Sequence, residues 1–236
     1  MQITIIGYVI LFSKNLITCT NRFFYVGTSS LEERIPVGQC CTFRGSFSNL
    51  NASTGSVLWQ TYMLPDNANK PEGYAGAALW GSNPAIDESR NQIYVATGNL
   101  YSAPLHIHKC QQEMNNKTAR HSYFPDRCVE PENHSNSILA LDLDTGKVKW
   151  SRRLWGCGDV GFLRCGDLSD SSPKNQEDSH YHEPPMVLTV FHVNQTIKRD
   201  AIIANHKSGF AWALDRDNGD LIGFKVSKYT ASCLDF

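Results

Sequence analysis

The stretch Ile138-Leu-Ala-Leu-Asp-Leu-Asp-Thr-Gly-Lys-Val-Lys-Trp150 decides the fold. Ile138, Ala140 and Asp142 alternate with Leu139, Leu141 and Leu143, the pattern of a strand buried on both faces. Asp144, Thr145 and Gly146 interrupt it, and Val148 and Trp150 resume a period of two. The unit reads as strand, tight turn and returning strand. Weaker copies stand at 50–59, around Thr54-Gly55, and at 213–224, around Asn218-Gly219. A repeated hairpin points to stacked β-units.

Outward from the repeat, the rest of the chain reads as strands and loops. Strands are expected at 22–28, ending in a Gly-Thr-Ser-Ser turn, and at 42–50, 56–63, 77–86, 92–97, 186–193, 200–204, 209–215 and 221–225. Two irregular insertions separate them, at 100–136 and 154–183. The turn glycines Gly55, Gly146 and Gly219 are spaced wider than the about 40–50 residues of a four-stranded blade. The two insertions account for the excess. The expected fold is therefore all-β, about three blades of a β-propeller over 22–226, between divergent segments at 1–21 and 227–236. An open arc of this kind leaves apolar blade faces uncovered, so self-association or membership of a longer propeller is expected.

Composition sets bounds on function. With 236 residues, 41% of them apolar, the chain can bury a substantial core. Its formal net charge of -1 excludes the electrostatic footprint of a nucleic-acid binder. The apolar run Ile3 to Phe12 has the length of a signal-peptide core and is too short to span a bilayer. It lacks a preceding basic residue and a clear cleavage site, so a propeller strand is the alternative. None of the eight cysteines forms a Cys-x-x-Cys pair, which argues against a zinc ribbon, and no Cys-x-x-Cys-His run would attach a haem. Sequons at Asn51, Asn116, Asn133 and Asn194, together with the cysteines, point to a secretory-route protein. Cys110 with Cys128, and Cys157 with Cys165, would each close a short loop. His106-x-His108 and His180-x-His182 lie in the insertions without ligands at metal spacing and read as surface histidines.

The repeat resembles the tryptophan-docking motif of the quinoprotein alcohol dehydrogenases, Ala-x-Asp-x-x-Thr-Gly-x-x-x-Trp. Ala140, Asp142, Thr145, Gly146 and Trp150 match it in full. The first copy keeps Thr54, Gly55 and Trp59, with Asn51 at the Asp position. The third keeps Ala213, Asp215 and Gly219, with Asn218 for Thr and Gly223 for Trp. Cys-Cys-Thr-Phe-Arg-Gly-Ser (40–46) and Lys-Ser-Gly-Phe-Ala-Trp-Ala-Leu-Asp-Arg (207–216) are similar to the polyvinyl-alcohol-dehydrogenase-like branch. The resemblance covers roughly 24–224 and implies an internal part of an eight-bladed enzyme. Such an enzyme carries pyrroloquinoline quinone (PQQ) and Ca²⁺, moves hydride from an alcohol to the quinone, and passes the electrons to an external electron acceptor.

By that resemblance Glu32 is a Ca²⁺ ligand, with Glu33 as the competing register, and Thr28 and Ser29 hold the cofactor. Trp80 of Leu79-Trp80-Gly81 forms the pocket floor. Asn99 of Ala96-Thr97-Gly98-Asn99 supplies an amide oxygen to Ca²⁺. Lys207 bonds the quinone oxygens. Asp159 matches the first Asp of the run that carries the base, and Phe162 stands at the usual base position. Cys40-Cys41 reads as a simple structural pair. Read from the residues alone, these same positions equally suit an acidic loop, a core tryptophan and ordinary turns. A non-catalytic secreted propeller module and a truncated product remain the other two readings.

Overall fold

In the computed structural model the chain forms three four-stranded antiparallel sheets and one two-stranded ribbon. The structure describes residues 4–6, 23–32, 35, 40–71, 73–79, 84–107, 109–110, 113, 128, 130–153, 187–193, 197–205 and 210–226. The first sheet pairs β1 (Thr4–Ile6), β2 (Phe23–Ser30), β3 (Ser46–Asn51) and β4 (Val57–Tyr62) in that order. The ribbon is β5 (Ala75–Gly76) with β8 (Leu100–Ser102). The second sheet runs β6 (Ala85–Asp87), β7 (Gln92–Ala96), β9 (Ser137–Asp142), β10 (Val148–Arg153). The third runs β11 (Val187–Val193), β12 (Ile197–Asn205), β13 (Phe210–Asp215), β14 (Leu221–Val226). Among the described residues no helix is long and apolar enough to cross a membrane.

The middle sheet explains the unbroken apolar runs. Ile93, Val95, Leu139 and Leu141 pack with Phe47 and Trp59 of the first sheet. Tyr94, Ala96, Ile138 and Ala140 pack with Ile202, Ala204 and Leu214 of the third. Successive side chains point to opposite faces, so a strand sandwiched between two sheets must be apolar at every position.

All three hairpins have one backbone. Gly55, Gly146 and Gly219 donate their N–H to Asn51 O, Asp142 O and Asp215 O (2.8, 2.9 and 2.9 Å) at φ of +71°, +69° and +74°. That left-handed conformation is what a turn glycine permits. Asp142 Oδ1 caps the turn by accepting from Asp144 N, Thr145 N and Thr145 Oγ1. Asn51 Oδ1 does the same for Ser53 N and Thr54 N, and Asp215 Oδ1 accepts from Asp217 N. Thr54 and Thr145 hydroxyls accept from the backbone two residues on, and Asn218 Oδ1 takes over that role for Asp220 N (2.9 Å). The Thr-to-Asn departure in the third copy is thus compensated locally.

Three expectations change. The Gly-Thr-Ser-Ser turn is not a turn: β2 continues through Ser30, because β1 pairs with it at Thr4↔Ser30 and Ile6↔Thr28. That pairing makes the start of the Ile3–Phe12 run a strand. Among the described residues of the strand expected at 77–86, 77–79 lie outside any strand and β6 begins only at Ala85. Residues 77–79 spend their hydrogen bonds on two other segments, described below, and a ladder cannot use them twice. The end of the 100–136 insertion returns into the core: Asn133, Ser135 and Asn136 are buried. Asn133 Oδ1 accepts from Ser135 and Arg153, and its Nδ2 lies enclosed, so this sequon is inaccessible on the folded chain. Cys110 and Cys128 are disulfide-bonded. Asn116, Asn194, Cys157, Cys165, His108 and His180-x-His182 lie outside the described residues.

A charge network ties the second sheet to the third. Buried Asp87 accepts from Ser89 Oγ (2.6 Å) and Tyr94 Oη (3.1 Å) and faces Arg216 Nη2 (3.5 Å). Arg90 and Arg216 both hold Asp200 (2.9 and 3.0 Å), and Arg90 also holds Asp217 (2.6 Å). Burial alone would raise the Asp87 pKa, but Ser89, Arg216, Tyr94 and Arg90 together hold it below 3.8. A depressed carboxylate stabilises the fold above its unfolded pKa and loses that contribution as pH falls through the folded one. Asp87→Asn is therefore expected to cost about 2 kcal/mol at neutral pH. The deficit should shrink only below about pH 4. Urea midpoints of both proteins across pH 2.5–7 check this; a deficit that does not change with pH would remove the ionised Asp87 from the account.

Candidate functional site

The candidate residues sit where three segments distant in sequence meet. The first is the end of β2. Ser29 and Ser30 are buried there, and Ser30 Oγ accepts from Glu32 N (3.1 Å). The second is 76–79. Leu79 N donates to Thr28 O (2.9 Å), and a Cβ on Gly27 would lie 2.7 Å from Leu79 Cβ. The third follows β7. Gly98 N donates to Ala78 O (2.9 Å), while Ala77 N donates to Asn99 O (2.7 Å). Tyr101 Oη closes the triangle by donating to Ser30 O (3.2 Å). The Leu79–Thr28, Gly98–Ala78 and Ala77–Asn99 bonds run between main-chain groups, so they hold the segments in one register whatever the side chains do.

Glu32 is the most tightly positioned acid of the junction. Its Oε2 accepts from Thr42 N (2.9 Å) and Phe43 N (2.8 Å), and its Oε1 lies at the long limit from Thr42 Oγ1 (3.5 Å). Two amides on one oxygen fix the carboxylate in place. Cys40 and Cys41, joined as a vicinal disulfide, lie against Glu32 O at 3.7 and 3.3 Å. They share an apolar cluster with Phe43, Ala75, Ala78 and Tyr101. The pair thus packs the loop that presents the Thr42 and Phe43 amides.

Thr28 and Ser29 differ. The Thr28 hydroxyl accepts from Ser46 N (2.8 Å) and contacts Ser46 Oγ (3.1 Å), so it is engaged inside its own sheet. Ser29 shares the face of Gly27, the side on which Leu79 packs. Asn99 Nδ2 donates to Leu100 O (3.1 Å). The junction therefore brings together Thr28, Ser29, Glu32, Leu79 and Asn99. Trp80, Glu33, Lys207, Asp159 and Phe162 lie outside the described residues.

Four participants escaped the sequence reading: Ser30, the Thr42 and Phe43 amides, and Tyr101. Cys-Cys-Thr-Phe was conspicuous as a string, but backbone donors leave no trace in residue identity. The donor chemistry suits a hard cation, which takes carboxylate and amide oxygens in flexible number. Among the described residues no group of three or more His, Cys, Asp or Glu gathers. Glu32 and Asn99 are the carboxylate and side-chain amide that the described part of this junction brings to it.

No family model matches the sequence. Polyvinylalcohol dehydrogenase from a Pseudomonas species is 30% identical over 194 residues, 78% of this chain and 25% of that protein. Quinohemoprotein alcohol dehydrogenase from Comamonas testosteroni is 26% identical over 202 residues, 77% of this chain and 23% of its length. The chain is a homologue of these alcohol dehydrogenases. It spans about a quarter of the length of the curated relatives it matches. The crystal structure of the Comamonas enzyme superposes with a TM-score of 0.55 at 22% identity, covering 88% of this chain and 27% of that one. The three sheets are accordingly three blades of a propeller of the quinoprotein alcohol dehydrogenase type.

Proposed function

We propose that this chain forms the cofactor-holding part of a PQQ- and Ca²⁺-dependent alcohol dehydrogenase. The activity proposed is oxidation of a small or polymeric alcohol, in which the quinone would take up hydride and an external electron acceptor would take the electrons on. The observation that carries this reading is the junction itself. Thr28-Ser29, the Leu79 segment and Gly98-Asn99, assigned to the cofactor site one by one, are tied together by main-chain hydrogen bonds, and the Glu32 carboxylate just beyond Ser30 is fixed by the Thr42 and Phe43 amides.

When bound, PQQ supplies the two-electron redox chemistry and Ca²⁺ polarises a quinone carbonyl. The chain's part is positioning. The Thr42 and Phe43 amides fix the position of the Glu32 carboxylate, which together with the Asn99 amide oxygen would hold the ion. Ser29 would hold a cofactor carboxylate, Trp80 would give the planar group a floor, and Lys207 would bond the quinone oxygens. Thr28 contributes through its carbonyl, which ties down Leu79, rather than through its hydroxyl. Asp159 is the acid we assign to take the alcohol proton, with Phe162 where relatives of this kind place the base. The two disulfides support a secretory or extracellular setting.

The test is a titration of the folded chain with PQQ and Ca²⁺, followed by tryptophan fluorescence. Ca²⁺-dependent saturable quenching is expected, and a chelator should abolish it. Glu32→Gln keeps an acceptor for both amides, so the fold should persist while Ca²⁺ affinity drops about tenfold or more. Equal affinity in both proteins would take Glu32 out of the site. No quenching of the folded wild type would overturn the reading for this chain.

A further inference from the structure

The sequon Asn51-Ala52-Ser53 has no part in the activity proposed above, and it opens the first hairpin turn. Asn51 Oδ1 accepts from Ser53 N (2.9 Å) and Thr54 N (3.0 Å), the cap that Asp142 and Asp215 give their own turns. Its Nδ2 has no partner among the described residues and is not enclosed. In the second copy both ends of the capping side chain are used. Asp142 Oδ2 accepts from Asn91 Nδ2 (3.3 Å) and lies 3.8 Å from Lys149 Nζ. The residue before the tryptophan, Lys149 there, is Leu58 here, whose side chain offers no hydrogen bond. An asparagine at this position thus caps the turn with its oxygen and leaves its nitrogen unclaimed. The surroundings are open as well. Residues 53–58 are exposed, and among the described residues nothing lies within 4 Å of a Cβ placed on Gly55.

The sequon at Asn133 is the opposite case. Asn133 is 5% exposed, and its Oδ1 accepts from Ser135 N (3.0 Å), Ser135 Oγ (2.8 Å) and Arg153 Nη2 (3.0 Å). Its Nδ2 is enclosed, so a sugar there has no room unless the segment leaves the core.

We propose that Asn51 is an N-glycosylation site of this chain, selected over Asn133 by the fold; the proposal rests on the secretory setting inferred above. The donor is a lipid-linked oligosaccharide, and the transferase belongs to the host pathway. Asn51 Nδ2 displaces the lipid diphosphate from the anomeric carbon of the sugar. The carbon–oxygen bond to phosphate breaks, a carbon–nitrogen bond forms, and Nδ2 gives up one of its two protons. The product is still an amide with an unchanged carbonyl oxygen, so the cap on Ser53 N and Thr54 N survives. Asp142 and Asp215 cap equally well but carry no nitrogen, which confines the modification to the first of the three turns.

The test produces the chain in a eukaryotic secretory host behind a cleavable foreign leader. Entry into the pathway is then independent of the secretory setting, and an unused Asn51 counts against the site rather than the route. Peptides of the folded, secreted protein are treated with a peptide N-glycosidase in heavy-oxygen water, which turns each sugar-bearing Asn into a labelled Asp. Label is expected at Asn51 in most molecules and is expected to be absent from Asn133. Asn51→Asp keeps the capping oxygen, so it should lose one glycan while its urea midpoint, compared on bacterially produced unglycosylated protein, stays with that of the wild type. Unlabelled Asn51 overturns the proposal, as does label on Asn133 in the folded fraction. A clearly lower midpoint for Asn51→Asp also overturns it, because the nitrogen would then belong to the fold. If too little folded protein is secreted, the same map is made on chains translated into microsomes, where unlabelled Asn51 again overturns the proposal.

Discussion

Trp150→Ala lowers the stability of the folded chain by about 4 kcal/mol, the upper part of the range for deleting a large buried aromatic. Trp150 is the wedge between the second and third blades. Its ring covers the Gly219 turn, lies 5.9 Å from Tyr94 and donates to Arg216 O. Removing it opens a cavity against a backbone turn that has no side chain to refill it, and leaves the Arg216 carbonyl without the indole donor. The same substitution at Trp59 acts on the first and second blades, where Thr61 Oγ1–H also donates to Gly146 O (2.6 Å). Gly223→Ala, at the equivalent position of the third blade, should change stability by less than ~0.5 kcal/mol, because among the described residues nothing comes within 4 Å of a Cβ there. Urea denaturation followed by far-UV circular dichroism checks all three. A loss under ~1 kcal/mol at Trp150 would mean that the ion network around Asp87 and Arg216, not the indole, holds the blades together.

Gly45→Ala is the second large effect, and it strikes the site as well as the fold. A Cβ at Gly45 would overlap Ala77 O and lie 2.6 Å from Ala77 C and 3.1 Å from Ala78 N. These are main-chain atoms with no rotamer to yield. Gly45 N also donates to Gly76 O, so the two segments are drawn together where the methyl would push them apart. The displaced segment is the one that bonds Thr28 and Gly98. The expected outcome is a loss of about 3 kcal/mol. Alongside it, Ca²⁺-dependent cofactor quenching should weaken more than about tenfold, since sites tolerate little misplacement of their supports. Gly55→Ala is the control: its cost is the left-handed backbone, about 1 kcal/mol, with quenching unchanged. Wild-type quenching by a folded Gly45→Ala protein would detach residues 77–79 from the site.

The repeat was legible because its chemistry is local. Asp142, Thr145 and Gly146 close their own turn within five residues, and the same cap recurs at Asn51 and Asp215. The continuous apolar run 138–141 announced a strand covered on both faces, and the middle blade is that. The site was legible only by likeness to the dehydrogenases. Ser29, Glu32 and Asn99 are unremarkable as residue types, and an acidic loop and a Gly-Asn turn were equally good readings of them.

What the sequence by itself determined is the hairpin, its three repetitions and the all-β propeller class, since periodicity and turn chemistry act over a few residues. Tertiary structure alone decided the rest. It made residues 77–79, expected to begin a strand, a bridge between Thr28 and Gly98, set the Thr42 and Phe43 amides on Glu32, and engaged the Thr28 hydroxyl with Ser46. It also left the Gly55 turn open while its two copies are covered. In each case the deciding partner is a backbone group or a neighbouring blade brought close by packing. Every residue carries the same amide and carbonyl, so only the folded chain shows which ones meet.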